Sequence, residues 1–290
     1  MQDEVTAQGR RPPLTAQGRR PPLNKDTRLC ISLAARPSNI GTRFHNHLYE
    51  VLGLDFIYKA FTTTDIAAAI GGVRALGIRG CSVSMPFKED VIALVDDVEA
   101  SARAIGSVNT IVNDDGYLRA SNTDYLAVQR LIDEHRLDAG GRVLIRGSGG
   151  MASAVGTAFR DHGFTSGIVI ARNQDSGRAL ADRLGYDYAT DVGTHVASVI
   201  VNVTPIGMDG ASESSEQAFE ESTIANATTV FDVVALPSET PLIQAARAAG
   251  VHVVTGAEVI ALQAAEQFER YTGVRPTAEQ VAEASAISRA

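Results

Sequence analysis

The chain has 290 residues, 44% of them hydrophobic and 21% charged, which is enough for one large or two ordinary folded units with a sizeable core. A formal net charge of −8 with no basic stripe argues against a nucleic-acid binder, and no apolar run approaches membrane-spanning length. Two cysteines and six histidines show no disulfide framework, no metal-ligand spacing and no HExxH pattern, so no metal is expected and a reducing cytoplasm suits the chain.

At the start of the chain, Thr6-Ala-Gln-Gly-Arg-Arg-Pro-Pro-Leu14 recurs unchanged as Thr15 to Leu23. Paired prolines block helix and sheet, and each copy offers one bulky apolar residue for burial, so residues 1–23 are expected to form a disordered extension. It lacks the apolar stretch of a signal peptide.

From Arg28 onward, strand and helix patterns alternate. Leu29 to Leu33 reads as a strand and Arg43 to Leu52 as a helix with Phe44, Leu48, Val51 and Leu52 on one side. Phe56 to Phe61 is a second strand. Thr64-Asp65 then caps a helix whose apolar face carries Ile66, Ile70, Val73 and Leu76. Ile78 to Val83 is a third strand and leads into a helix around Lys88. Thr110 to Ala120 has a strand-turn-strand pattern, after which a helix begins near Asp124. The first unit is an open α/β domain over 24–123.

The helix from Asp124 to His135 opens a second unit, 124–256. Its first strand, Gly140 to Ile145, runs into Gly147-Ser148-Gly149-Gly150-Met151-Ala152 and then an apolar helix, Ala154 to Phe159. A strand, a glycine turn and a helix open a Rossmann-type dinucleotide-binding fold, with Ala152 at the third fingerprint position. There the turn brings backbone amides and a helix N-terminus to a pyrophosphate. The next strand, Ile168 to Ala171, ends in Arg172-Asn173 where NAD sites carry an acid. Arg172 can instead pair with a 2′-phosphate, which favours NADP over NAD. Three further strands, Val199 to Asn202, Thr229 to Asp232 and Val251 to Val254, end on the same side. They lead into Asn202-Val-Thr204-Pro-Ile-Gly-Met208, Asp232 and Thr255-Gly256. Residues 211–221, rich in Ser and Glu, read as a surface loop. A long helix from Ala257 to Tyr271 then crosses back to the first unit, so that Gln263 faces the cleft, and 257–290 completes that unit.

Lys88 and Asp124 both stand where a strand opens into a helix, which is where α/β proteins place their chemistry. Held together across one cleft, a lysine and a carboxylate can pass a proton to and from a substrate hydroxyl. Taken singly, either residue also reads as a solvated first-turn lysine or an ordinary helix cap.

Seven segments together decide between these readings: Met85-Pro-Phe-Lys88-Glu89, Ser107-Val-Asn109-Thr110, Asn122-Thr-Asp124, the Gly147 loop, Asn202 to Met208, Thr240-Pro241 and Gln263-Ala-Ala265. In this order the chain resembles the shikimate dehydrogenases, from about Leu29 to its end. It looks closest to the shikimate dehydrogenase-like branch, because Arg36 to Asn46 replaces a serine-rich stretch. The resemblance implies a two-domain, NADP-dependent dehydrogenase of the shikimate pathway acting on a ring hydroxy acid, with shikimate the leading substrate. It implies Lys88 and Asp124 as the catalytic pair, and Ser84, Asn109 and Gln263 as substrate contacts. It places the nicotinamide near Val203 to Met208, Thr204 included, and Val233, with Gly256 close by.

The departures shape the expectation as much as the matches. The family's two carboxylate-binding serines fall on Asn39 and Gly41, a contacting tyrosine on Ala235, and an asparagine on Ser82. Ser38, Asn39 and Thr42 stand near enough to substitute in a different geometry. The expectation is weak activity on shikimate or preference for a related polyhydroxylated or amino ring acid of quinate type. A sensor of a ring acid or nucleotide is the remaining alternative. Monomer and homodimer are both left open.

Overall fold

The computed structural model describes residues 19–289. Most of the duplicated extension, residues 1–18, lies outside the described residues. Of the second copy, Arg20 donates to the Phe56 carbonyl at 3.4 Å and pairs with Glu50 at 3.6 Å.

The first unit comprises β1 (Arg28–Leu33), α1 (Ile40–Val51), β2 (Phe56–Phe61), α2 (Ile66–Ala75) and β3 (Gly80–Val83). A 3₁₀ turn (Asp90–Leu94), β4 (Asp97–Val98), α3 (Ala100–Ile105) and the hairpin β5 (Thr110–Asp114) to β6 (Tyr117–Ser121) complete it. Its six strands run in the order β2-β1-β3-β5-β6-β4, with β5 antiparallel to both neighbours.

Helix α4 (Thr123–Glu134) leads into the second unit. This consists of β7 (Val143–Arg146), α5 (Gly150–Asp161), β8 (Gly167–Ile170), α6 (Gln174–Leu184), β9 (Asp187–Ala189) and β10 (Val199–Asn202), then α7 (Glu221–Ala225), β11 (Thr229–Asp232), α8 (Pro241–Ala248) and β12 (His252–Val254). All six strands are parallel, in the order β12-β11-β10-β7-β8-β9. The order reverses between β7 and β10, so chain connections leave in opposite directions there and a crevice opens at the strand ends. Helices α9 (Gly256–Thr272) and α10 (Ala278–Arg289) return to the first unit. The two-sheet α/β architecture is the one expected, a mixed substrate-side sheet beside a Rossmann-type sheet.

Helix α9 joins the units by dividing its side chains between two cores. Val259 and Leu262 pack with α4, α5 and the second sheet. Ala264, Phe268 and Tyr271 pack with Phe44, Tyr49 and Tyr58 of the first unit. Within that second group the His45 ring lies on Tyr58, centroids 4.4 Å apart at an interplanar angle of 7°. Burial pushes its imidazole down to about 3, so His45 is a neutral member of an aromatic core.

Several expected elements differ. Helix α1 starts at Ile40, because Asn39 and Gly41 accept helical backbone and Arg43 N–H already bonds to the Asn39 carbonyl. Lys88 lies in turns ahead of the short 3₁₀ segment and not in an α-helix; the turn closes when Phe87 N–H bonds to the Ser84 carbonyl. Val51, the last residue of α1, and Leu76, the C-cap after α2, are exposed and not part of the expected apolar faces. Helices α3, α6, α7, α8 and α10 and the short strands β4 and β9 add to the expected pattern.

Candidate active site

The first unit brings chain ends together at the C-terminal edge of its parallel strands. After β3, Ser84 N–H bonds to the Leu33 carbonyl, and Lys88 C=O accepts from Val108 N–H. After β6, Asn122 caps α4 by accepting from Tyr125 N–H, which sets Asp124 in the first turn. The two paths converge: Lys88 Nζ donates to Asp124 Oδ2 at 2.6 Å. Asp124 is 3% exposed, while the Lys88 side chain keeps 18% of its surface open. Removing two charges from water is costly and is offset by short, direct pairing. A partly exposed lysine held by a buried carboxylate is equipped to exchange a proton with something in the cleft.

Asn109 sits beside this pair and is fully buried. Its Oδ1 accepts from Thr110 Oγ1 (2.8 Å), Thr123 N–H (2.8 Å) and Thr123 Oγ1 (3.1 Å). Three donors on the oxygen fix the amide, and Nδ2 is left without a partner. A buried, unpaired N–H donor next to a Lys–Asp pair suits a substrate oxygen. Behind it Gln267 Nε2 donates to Thr110 Oγ1 at 3.2 Å. Gln263 lies one helical turn before Gln267, half-buried on the same face of α9.

The first turn of α1 covers the other side. A side chain built on Gly41 would meet the Tyr58 ring and hydroxyl at 3.5 Å, and that hydroxyl bonds to Ser82 Oγ at 2.8 Å. Asn39 is the N-cap of α1 but makes no side-chain capping bond, and Ser38, Asn39 and Ser84 are all exposed. Thus Lys88 and Asp124 pair directly, Asn109 is tied to Thr123 beside Asp124, Gln263 lies on the helix face that carries Gln267, and Ser38, Asn39 and Ser84 are exposed.

In the second unit, Gly147 turns at a φ of +131°, with Val203 packed so close that a Cβ would lie 2.7 Å from its Cγ2. Glycine alone takes this conformation without strain. Gly149, the N-cap of α5, makes no side-chain cap, and a Cβ there would meet only open space. Ser148 Oγ bonds to Ser176 Oγ at 2.8 Å, tying the loop to α6. Met151 is half-buried and Ala152 buried, so Gly150-Met151-Ala152 begins α5 with its amides facing the open end. Uncapped amides around free space fit a pyrophosphate, and Arg172 at the end of β8 fits the 2′-phosphate of NADP.

The residues expected at the nicotinamide end rest on a buried network. Asn202 Oδ1 accepts from Thr204 N–H and Oγ1, while its Nδ2 donates to Asp232 Oδ1 at 3.0 Å. Asp232 Oδ2 accepts from Thr240 Oγ1 at 2.7 Å, and Val233 N–H bonds to the Asn202 carbonyl. Gly256 packs against the backbone of Val233 and Val234. Burial pushes the Asp232 carboxyl up to about 6, against the lowering effect of its three hydrogen bonds.

A pH effect follows. Between the unfolded value of 3.8 and about 6, the native state holds a proton that the unfolded chain has released. Asp232 thus contributes stability that is full below that window and lost as pH rises through 6, amounting to about 3 kcal/mol. Asp232→Asn does not titrate, so the Tm of the native protein relative to this variant is expected to fall between pH 4 and 7. A difference that stays flat across that range would rule out the assignment.

Sequence reasoning named Ser82 as a departure from the family and carried Thr110 and Thr123 inside matching segments without giving them a role, and it did not single out Tyr58 or Gln267. The only signal for these last two is a polar residue at a position where a strand or helix is otherwise apolar. Among the described residues no group of three or more His, Cys, Asp or Glu is arranged to hold a metal ion.

Comparison with known proteins agrees with this geometry. Residues 39–111 match the model of the shikimate dehydrogenase substrate binding domain. The chain is 55% identical to a shikimate dehydrogenase-like protein of Haemophilus influenzae, over 92% of this chain and 98% of that one. It is 35% identical to the NADP(+) shikimate dehydrogenase of Prosthecochloris aestuarii, covering 79% and 85% of the two chains. It also superimposes on the Thermus thermophilus shikimate 5-dehydrogenase solved with NADP(H) and shikimate, at TM-score 0.81 and 27% identity, over 90% of this chain and 99% of that one.

Proposed function

The chain belongs to the shikimate dehydrogenase family, and on that premise we propose that it interconverts shikimate and 3-dehydroshikimate with NADP as the redox partner. It is an NADP-dependent oxidoreductase acting on a CH–OH group. The observation that carries this reading is the 2.6 Å Lys88–Asp124 pair beside the unpaired Asn109 amide.

NADP bound there would supply the hydride acceptor for the carbinol carbon, and NADPH the hydride donor in the reverse direction. Lys88 takes the hydroxyl proton in oxidation and gives it back in reduction. Asp124 orients Lys88 and accepts from the neighbouring substrate hydroxyl. Asn109 Nδ2 donates to a ring oxygen, and Gln263 and Ser84 close the ring's other edge. Gly147 to Ala152 hold the pyrophosphate, and Thr204, Val233 and Gly256 shape the nicotinamide end. We assign 24–123 with 257–290 to substrate and 124–256 to cofactor, and we place the enzyme in the cytoplasm. No helix among the described residues is long and apolar enough to cross a membrane.

The substrate carboxylate meets Ser38, Asn39 and the first turn of α1, where the serines typical of the family are missing. A carboxylate that lacks a hydrogen bond from a buried partner loses roughly 1.5–3 kcal/mol, more than tenfold in affinity. Weak binding of shikimate follows, and so does a way to restore it. A side chain at Gly41 would sit at ordinary contact distance from Tyr58, so serine fits there. Asn39→Ser with Gly41→Ser is expected to lower KM for shikimate about tenfold with kcat little changed. An unchanged KM would show that the carboxylate is gripped elsewhere.

The direct test is NADPH formation from shikimate and NADP by the purified protein, with quinate and NAD alongside. Turnover of shikimate supports the reading. Turnover of quinate alone would move the assignment to that ring acid, a change the altered α1 end would explain. NADP binding without turnover of any ring acid would leave a sensor.

A further inference from the structure

The crevice at the strand-order reversal is crossed by an ion pair that the proposed reaction does not use. Arg172 follows β8, and Glu213 lies in the loop that follows β10. Strand β7 runs between those two strands, so the Arg172 Nη1–Glu213 Oε1 contact of 3.4 Å passes over its C-terminal end. Beneath it stands Arg146, the last residue of β7. Its Nη1 donates to the Ala218 carbonyl, and its guanidinium lies 6.0 Å from the centre of the Phe219 ring.

We propose that Glu213 sets the strength of 2′-phosphate recognition: it occupies Arg172 across the crevice, and the phosphate of NADP must displace it to gain that arginine. The proposal rests on the NADP reading above and adds the residue that opposes it.

Three observations support it. The Arg172 side chain is 82% exposed, so it is free to swing from one anion to another, while Glu213 is only 24% exposed. The Glu213 backbone is pinned, its carbonyl accepting from Gly207 and Glu216 N–H, so the carboxylate stays at the crevice after it loses its partner. Arg146 shares the same charge cluster: burial and the positive charge of Arg172 hold its guanidinium below its usual value, against the pull of Glu213 and Glu216. Two guanidiniums and two carboxylates thus meet where a dinucleotide's adenosine end lies. The exposed pair is weak enough to be exchanged. A phosphate offers Arg172 a bidentate, doubly charged partner, but it approaches against the carboxylate that is left behind.

The test is calorimetric binding of NADP, 2′,5′-ADP and NAD to the full chain and to Glu213→Gln. The variant is expected to bind NADP and 2′,5′-ADP about fivefold more tightly, with NAD unchanged. The gain should shrink at high ionic strength and vanish in an Arg172→Ala background. Glu213→Ser provides the same comparison should the glutamine variant fold poorly. Equal gains for NAD and NADP, or none for either, would overturn the role of Glu213 while leaving NADP as cofactor. A native protein that binds NADP no better than NAD would instead remove the NADP reading and this inference with it.

Discussion

Lys88→Ala is expected to lose about a thousandfold in kcat for shikimate oxidation while NADP binding stays within twofold, since positioned acid–base groups contribute roughly 10²–10⁴. The loss should fall on kcat, because the lysine acts on a proton that moves only as the reaction proceeds. The substitution also leaves Asp124 as a buried carboxylate without the cation 2.6 Å away, so some destabilisation accompanies it. Adding Asp124→Asn, which removes the uncompensated buried charge, separates the two effects: turnover should remain abolished while Tm recovers part of its drop. Stopped-flow hydride transfer and equilibrium NADP binding are the measurements. A variant retaining a tenth or more of native turnover would show that another group handles the proton.

Gly256→Ala is expected to be the most damaging small substitution away from the reacting pair. A Cβ at this position would lie 2.2 Å from the Val234 carbonyl oxygen and 2.6 Å from the Val233 carbonyl carbon. These are backbone atoms at the end of β11 and cannot rotate aside, so the start of α9 must move. Overpacking a well-filled site costs typically 1–3 kcal/mol, and a backbone clash belongs at or beyond the upper end, about 3 kcal/mol. The shift would pass along α9 to Gln263 and Gln267 and to the cofactor face beside Val233. Lower Tm is expected together with raised KM for both substrates. Denaturant unfolding with native-like stability would show that the junction yields more readily than its geometry implies.

The fold was legible because its two units use different grammars. The second unit carries the strand-glycine turn-helix sequence from Val143 through Ala152, whose positive-φ Gly147 admits few substitutes, and apolar strands that end at one edge. The first unit was clear in its strands but not around Lys88. A helix looked natural there, yet the segment is spent on turns that carry the lysine to Asp124. The Lys88–Asp124 pairing was visible through its placement at strand ends and through family resemblance. The support around Asn109 was not, because a threonine at the start of β5 and a glutamine on α9 are brought together across 157 positions of sequence. Arg172 was read as a phosphate partner from its place after β8. Its engagement with Glu213 was not, since residues 211–221 read only as a polar surface loop.

The division of α9 between two cores bears on how such an enzyme can be taken apart or inherited. Phe268 and Tyr271 fill the interior beside Phe44 and Tyr49, although more than two hundred positions separate them in the chain and the whole cofactor half lies in between. A gene fragment ending after β12 would encode every strand of both sheets and still leave that interior open to water. Exchange of the cofactor half between relatives therefore requires two breakpoints, one on either side of it, and a single crossover yields a protein whose first half lacks its own wall.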